Sequence, residues 1–535
     1  MTRRARLACL AAACAALLAP TPGRGAVYVN SDVWNFFSDN DLGSMDRAAL
    51  AAAVDDDVDF YVDAGASAVL YNMNAQRALF DSAAFTPAWK DLSKGEDGRL
   101  LLRGRALVSD RDEANLWKVA RGARRLAELL PDFMARRYAR CRARGVEMWH
   151  SMRMNDVHYT YLGNEWSPLH ADLWLDRKDL LRAWYRHSWR GEWADNGFDY
   201  AKKEVFDAHL ALVREYLLEH ESDGLELDWM RALPVFAPGF DEANAPVLTR
   251  FMRETRPIAD AAGRKWGHRV KVGVRVPARV RDAYAMGLDV AAWAREGLVD
   301  LVVPSPKNTS TEMDCDVAVY RALCPRPVVL APCLDYDCRS DAGHRVLFCE
   351  AIDMGFASGW YHDGADAAYL YNHFPRMLNE PGHAGYPAYV ARLGERTAVA
   401  RRSRRHVFTR HEPLGEGEFA RSPYWSAVWR NCCNGCVKVN CGEGTAGRRA
   451  VVVVGTKTPL AADILVNAVL CPPVALDDAR RAQLPRAKDG ETLSFAAAAV
   501  PAGVLHDGWN GVELFNRGAR DLAASDFVWL EVDLP

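Results

Sequence analysis

The segment SDGLELDWMR, from Ser222 to Arg231, sets two carboxylates, Glu226 and Asp228, two positions apart between Leu225, Leu227 and Trp229. This alternation predicts a strand with Leu225, Leu227 and Trp229 on one face and Gly224, Glu226 and Asp228 on the other. Carboxylates on an inward face repel each other and lose hydration, which costs stability unless cations or hydrogen bonds compensate. The chemistry open to such a group is proton transfer or nucleophilic attack at a bond between sugars, which needs two carboxyl groups roughly 5 Å apart for retention or roughly 6.5–9.5 Å apart for inversion. Residues two apart on a strand stand at different depths, about 6.6 Å apart along the chain. Asp228, the one nearer the strand end, is therefore expected to act with a carboxylate from another loop, Asp156 first and Asp337 second, with Glu226 one layer below. The competing structural role for Glu226 is an ion pair with a cation on the next strand, Arg275.

Other predicted strand ends bring polar company. After the second comes NMNAQR, with Asn74 and Arg77, and after the third RMNDVH, with Arg153, Asn155, Asp156 and His158. Arg231 follows the fourth, Arg275 closes the fifth, Lys307 and Asn308 follow the sixth, Asp335 and Asp337 the seventh, and Asn372 and His373 the eighth. Amides, carboxylates and guanidiniums satisfy sugar hydroxyls in pairs, while aromatic side chains cover the apolar ring face. Asn74, Arg77, Arg153, Asn155, His158, Arg231, Arg275, Asn372 and His373 are thus expected to bind substrate. Arg153 and His158 would tune Asp156, and Arg231 or Arg275 would hold Asp228 ionised. Trp149, Trp166, Trp174, Tyr159 and Tyr161 enrich the third strand and its loop in aromatics. A metal-assisted alternative would use Asp156, His158 and Asp228.

Eight β-like runs alternate with helical stretches over about 350 residues: VYVN, SAVLYN, VEMWHSM, GLELDW, VKVGVRV, DLVVP, PVVLAP and AAYLYN. Apolar residues recur near a 3.6 period between them, as in MDRAALAAAVDDDVDFYVDAG and in ANLWKVARGARRLAELLPDFMARRYARCRARG. This order predicts an α/β chain folded as a (β/α)8 TIM barrel over residues 26–385, with chemistry at the C-terminal ends of its strands. An open doubly wound sheet would want a G-x-G-x-x-G turn after a strand, and none follows these. Beyond residue 385 the texture shifts to strands and turns, as in RRAVVVVGTK and DFVWLEVDLP, with helical periodicity absent. A C-terminal β-sandwich domain with a Cys-rich loop is expected over residues 386–535.

The chain has 535 residues, 50% hydrophobic and 26% charged, with a net charge of −3. That is enough to bury a large core, and it offers no basic surface for nucleic acid. No cofactor motif is present, and oligomeric state is not legible. Residues 1–25 read as an export signal: Arg3, Arg4 and Arg6, then the apolar run LACLAAACAALLA, too short to span a bilayer. The expected location is periplasmic or extracellular. Of 13 cysteines, Cys9 and Cys14 fall in that leader, leaving an odd number. In CCNGCVKVNC the reading favours a disulfide from Cys432 or Cys436 to Cys441 over a zinc site, because the second C-x-x-C or added histidines that zinc wants are missing.

The segment FDYAKKEVFDAHLALVREYLLEHESDGLELDWMR, with RMNDVH, NAQR, VRVP, GLDVAAWAREGLVDLVVPS and GADAAYLYN, resembles the glycosyl-hydrolase-like barrel proteins related to the family-ten glycosyl hydrolases. The resemblance implies a retaining or inverting glycosidase acting on polysaccharide or oligosaccharide. The family-eighteen chitinase pattern D-G-x-D-x-D-x-E is met at Asp223, Glu226 and Asp228 but has Met230 where its acid stands. Asp228 also falls where α-amylase-type barrels carry their fourth-strand nucleophile, with Glu226 where they carry arginine. Met230 leaves a non-catalytic, glycan-binding barrel as the alternative to an exported glycoside hydrolase.

Overall fold

The structure is a computed structural model that describes residues 25–107, 113–158, 160, 166–186, 193–306, 310–311, 314–340, 343–373, 386–409, 428–488 and 490–535. The leader, Tyr159, Tyr161, Lys307 and Asn308 lie outside the described residues.

A nine-stranded sheet organises the first part of the chain. Its members are β1 (Ala26–Asp32), β2 (Ala68–Asn72), β3 (Glu147–Arg153), β4 (Gly224–Asp228), β5 (Lys271–Pro277), β6 (Leu301–Ser305), β7 (Val329–Leu330), β8 (Cys333–Leu334) and, after a hairpin of β9 (Asp337–Arg339) and β10 (Arg345–Leu347), β11 (Ala367–Leu370). All pairings in the nine-stranded sheet are parallel, in the order β7-β6-β5-β4-β3-β2-β1-β11-β8. The short strands β7 and β8 are separated by Ala331 and Pro332 alone; β7 pairs with β6, and β8 pairs with β11.

Helices fill the crossovers: α1 (Arg47–Asp63), α2 (Glu113–Leu129), α3 (Phe133–Ala143), α4 (Lys203–Glu219), α5 (Ala245–Trp266) and, before β11, α6 (Glu350–His362). Asp46 caps α1 by accepting from the Ala49 amide at 2.8 Å, supplying one of the partners that a helix start lacks. The long helical stretch of the sequence reading is two helices, parted at Pro131, whose missing N–H and ring cannot continue α2. The acidic run of α1 meets the basic run of α3 in a ladder, with Asp55 on Arg136 at 2.6 Å, Asp57 on Arg137 at 2.8 Å and Asp59 on Arg140 at 2.5 Å. Among the described residues no helix is long and apolar enough to cross a membrane.

Strand alternation sorts the side chains as expected. Leu225, Leu227 and Trp229 join the large core between sheet and helices, where Trp229 meets Tyr200 and Phe251 edge-on. Tyr28, Ala68, Leu70, Trp149, Leu301, Val303, Cys333 and Tyr369 form a second, separate apolar cluster on the opposite face. Glu226 on β4 accepts from Tyr369 on β11, although three strands lie between them in the sheet, so the sheet is curled around this second cluster.

Past residue 385 the structure differs from the sequence reading, which expected no helices there: α7 (Tyr386–Leu393) and α8 (Arg396–Arg401) precede the first antiparallel strand. They continue the helical layer, since the Ala391 amide donates to the Ala64 carbonyl at 3.1 Å. Antiparallel strands start at Arg404 and form two four-stranded sheets. Two glycines in α6 take the contact between the parts. A Cβ on Gly355 would collide with the Arg405 carbonyl, and one on Gly359 would stand 2.8 Å from the Asn440 carbonyl. The disulfide expected at Cys441 is not formed: Cys436 and Cys441 are both free. Five positions along an extended strand put about 15 Å between them, against the ~7 Å limit between bridged Cα atoms. Gly355→Ala is expected to lower unfolding stability by about 1–3 kcal/mol through overpacking at this contact; an unchanged urea midpoint would refute the role given to that glycine.

Candidate active site at the strand C-termini

The inner face of the sheet is graded from dry to polar. At its base Trp149 lies against Gly224 and Gly273, where added Cβ atoms would sit 2.5 Å and 3.1 Å from the indole. Those two glycines are what let a tryptophan fill the floor; Tyr28 meets it edge-on at 6.2 Å.

One row above, Glu226 is fully buried. Its Oε2 accepts from Ser151 Oγ at 2.7 Å, Tyr369 OH at 2.9 Å and Asn30 Nδ2 at 3.1 Å, while Oε1 has no partner among the described residues. Burial, and then the charge of Asp228, push its carboxyl up to about 7. The Arg275 partner considered for Glu226 is not there. Three neutral donors take its place, because Arg275 stands one row higher.

In that upper row Arg275 Nη1 donates to both oxygens of Asp228, at 2.8 Å and 3.0 Å, and Arg275 Nε donates to Ser305 Oγ at 3.0 Å. The guanidinium lies 3.7 Å from the Tyr371 ring centroid, and Tyr371 OH accepts from Arg231 Nε at 2.6 Å. Asn372, whose φ of 61° is left-handed, donates from Nδ2 to Asp335 Oδ1 at 3.2 Å. Asp335 is buried, which pushes its carboxyl up to about 6 even though the Tyr336 amide and the Arg275 charge favour the ionised form. Asp228 is thus held in an ion pair, while Asp335, which feels the Arg275 charge without a hydrogen bond to it, keeps its proton more tightly than usual.

On the neighbouring strand ends Arg153 bridges Asp32 Oδ2 at 2.6 Å and Asp156 Oδ2 at 3.1 Å. The Asp156 carboxylate also faces His158 Nδ1 at 2.9 Å and accepts from the His158 amide at 3.0 Å. Burial alone would raise the Asp156 carboxyl, but His158 and Arg153 outweigh it and hold the group well below the usual carboxylate range. A carboxylate this acidic can orient or accept, and it is a poor proton donor near neutrality. The His158 side chain is 41% exposed, so it is His158 that carries this dyad to solvent.

Other expected site residues are spent elsewhere. Arg77 is buried, donating to the His170 and Lys90 carbonyls at 2.8 Å and to Asp172 at 2.9 Å. Asn155 exchanges two side-chain hydrogen bonds with the backbone of Phe198, and Asn74 bonds both the N–H and C=O of Arg153. Asp337 lies in the β9–β10 hairpin on Arg339 at 2.6 Å, and His373 is buried with its ring 5.9 Å from Phe348. The aromatic enrichment near β3 is largely packing: Trp149 and Trp174 are buried, and Trp166 donates to the Leu102 carbonyl at 3.1 Å. Among the described residues no three His, Cys, Asp or Glu side chains converge as metal ligands, and Asp156 and Asp228 each have an arginine partner of their own.

No family model matches the chain, so the relation to family ten is not shown. No curated protein matches it either. Among solved structures the chain is similar to alpha-L-fucosidase isoenzyme 2 from Paenibacillus thiaminolyticus, with a TM-score of 0.41 and 12% identity over 70% of this chain and 49% of that one. It is also similar to an alpha-amylase from Lactobacillus plantarum, with a TM-score of 0.37 and 12% identity over 89% and 99% of the two chains. A third is the catalytic domain of chitinase B from Arthrobacter TAD20, with a TM-score of 0.39 and 11% identity over 74% and 100%. The chain spans about half the length of the fucosidase. At this degree of likeness the neighbours' activities do not transfer.

The raised Glu226 carboxyl has a stability consequence with a definite sign. Below the ordinary carboxylate range the group is protonated folded and unfolded and costs nothing. Between about 4.5 and about 7 only the folded state keeps the proton, so stability falls as pH rises and levels off above. Glu226→Gln is therefore expected to gain on the parent from pH 5 to pH 8, by on the order of a few kcal/mol. Urea unfolding of both proteins across that range checks this; a pH-independent difference would contradict it.

Proposed function

We propose that this chain is a glycoside hydrolase that cleaves a polysaccharide or oligosaccharide at the strand C-termini. The carrying observation is the contrast between Asp228, ion-paired with Arg275, and the buried Asp335, whose carboxyl is pushed up to about 6 within reach of the same arginine's charge. Glycoside hydrolysis asks for this contrast, one carboxyl to give a proton and one carboxylate to meet positive charge at the anomeric carbon. Asp335 protonates the glycosidic oxygen as the bond to the leaving sugar breaks. Asp228 supplies the negative charge for the oxocarbenium-like transition state, either bonding to the anomeric carbon or taking the proton of the attacking water. Arg275 fixes the Asp228 carboxylate, Tyr371 backs the guanidinium, and Asn372 orients Asp335. Asp156 and Arg153 position His158 toward the incoming sugar.

The framework belongs to this proposal: the curled sheet is a closed (β/α)8 barrel, its seventh strand divided into β7 and β8, followed by a β-sandwich. The division supports closure, because one short segment pairs with β6 through its first half and with β11 through its second. Export rests on the basic and then apolar leader.

A non-catalytic, glycan-binding role is the second reading, and it draws on Asp228 being buried with both oxygens taken by Arg275. Asp228→Asn and Asp335→Asn separate the two. Hydrolysis predicts that each keeps the fold, and that reducing-end release from the substrate found in a polysaccharide panel falls by about a thousandfold or more in Asp228→Asn. The parent's activity should decline on the alkaline side with a midpoint near 6, as Asp335 loses its proton. Binding by calorimetry with no release of reducing ends in the parent would favour the second reading; unaltered turnover in Asp228→Asn would end the first.

A further inference from the structure

At the end of the sheet opposite the carboxylates, a groove of about 760 Å³ runs between α8 and the turn after Asn440; its walls include His362, Arg396, Arg401, Glu443, Arg448 and Asp507. Helix α6 delivers His362 there, at its C-terminal end, and the Gly25 amide donating to the Gly394 carbonyl marks the same end of the sheet. The volume lies within the ~300–1,000 Å³ of ligand sites.

The charge of the groove is unbalanced. Arg404, fully buried behind it, has no carboxylate partner among the described residues; its donors go to the Val399, Ala400, Cys441 and Glu443 carbonyls, to Thr445 Oγ1 and to His406 Nε2. Burial, and then the charge of Arg448, push the Arg404 guanidinium down to about 10. Arg448 donates to the carbonyls of Arg402, Leu534 and Pro535. Arg396 donates to the Ala365 carbonyl and lies 5.0 Å from the Tyr361 ring centroid. Arg401 is exposed, and its side chain has no hydrogen bond or ion pair among the described residues. Against these guanidiniums stand Glu443 and Asp507, and Asp507 is already engaged by the amides of Thr445 at 2.8 Å and Ala446 at 2.9 Å. At the rim Gly508 packs against the His362 ring, and the next residue, Trp509, is 38% exposed, its indole N–H donating to Asp363 at 3.2 Å.

From the free guanidinium of Arg401 in an arginine-lined groove, and the exposed indole at its rim, we infer a second binding site for a saccharide that carries a carboxylate or sulfate group. A guanidinium pairs with either oxyanion through parallel N–H donors, and an indole face covers the apolar side of a sugar ring. Neither feature is needed for hydrolysis at the other end, so the inference stands apart from the proposed function.

The test is calorimetry on the full chain with three oligosaccharides of matched length, one uronate, one sulfated and one neutral, and with inorganic sulfate. The expected result is binding of one or both acidic oligosaccharides, weakened at least tenfold by Arg401→Glu and by added salt and weakened by Trp509→Ala. Uronate without sulfate, or the reverse, identifies the oxyanion. Equal binding of the neutral oligosaccharide, affinity unchanged in both variants, no binding of either acidic oligosaccharide, or inorganic sulfate binding as tightly as the sulfated chain would each overturn the assignment. Arg401 is exposed and unpaired, so its replacement leaves the fold intact, and reducing-end release at the other end reports separately on the hydrolase reading.

Discussion

Carboxylates without water must be given donors, and the two on the inner face of β4 receive them in different ways. Glu226 is surrounded by a hydroxyl, a phenol and an amide, none of which carries charge, and its proton is retained to about 7. Asp228, one row higher, receives a guanidinium. The difference comes from register: β4 and β5 pair so that Glu226 stands beside Gly273 and Asp228 beside Arg275. A buried carboxylate beside a glycine has to look across the sheet for help, which ties β4 to β1 and β11. A single alternation along five residues thereby links the curl of the sheet to the charge state of its polar rim.

The rim inherits its order from that arrangement. Burial raises the Asp335 carboxyl, and its amide donors and the charge of Arg275, which is committed to Asp228, offset that only in part. On the other side His158, with Arg153 behind it, outweighs burial and makes Asp156 strongly acidic. Burial that is left uncompensated at Asp335 and outweighed by cations at Asp156 thus gives carboxyl groups of opposite character a few strand ends apart.

Much of this was legible. Period-two alternation placed Glu226 and Asp228 on one face and Leu225, Leu227 and Trp229 on the other, and the order of strands and helices gave a parallel sheet followed by antiparallel strands. The inward turn of Asp335 is harder to read for a local reason: the apolar run PVVLAP ends at Pro332, which reads as a strand end, whereas hydrogen bonding resumes at Cys333. With the strand carried on to Leu334, the alternation that turns Cys333 inward points at Asp335. The burial of Trp149 and Trp174 was not legible for a different reason, since nothing in one sequence tells a tryptophan facing a sugar from one filling a floor. The glycines that make room for Trp149 are the signal, and they sit on β4 and β5, far away in the chain. Arg77 and Asn155 carry the right chemistry, but loop backbone consumes it, and that demand emerges only once the loops have their shapes.

The tryptophan-filled floor also divides the inner face. Trp149, Tyr28 and Leu301 leave the interior plugged at the N-terminal ends of the strands. The inner face is thus packed dry at that end, and Glu226, Asp228 and the polar row above them lie toward the strand C-termini.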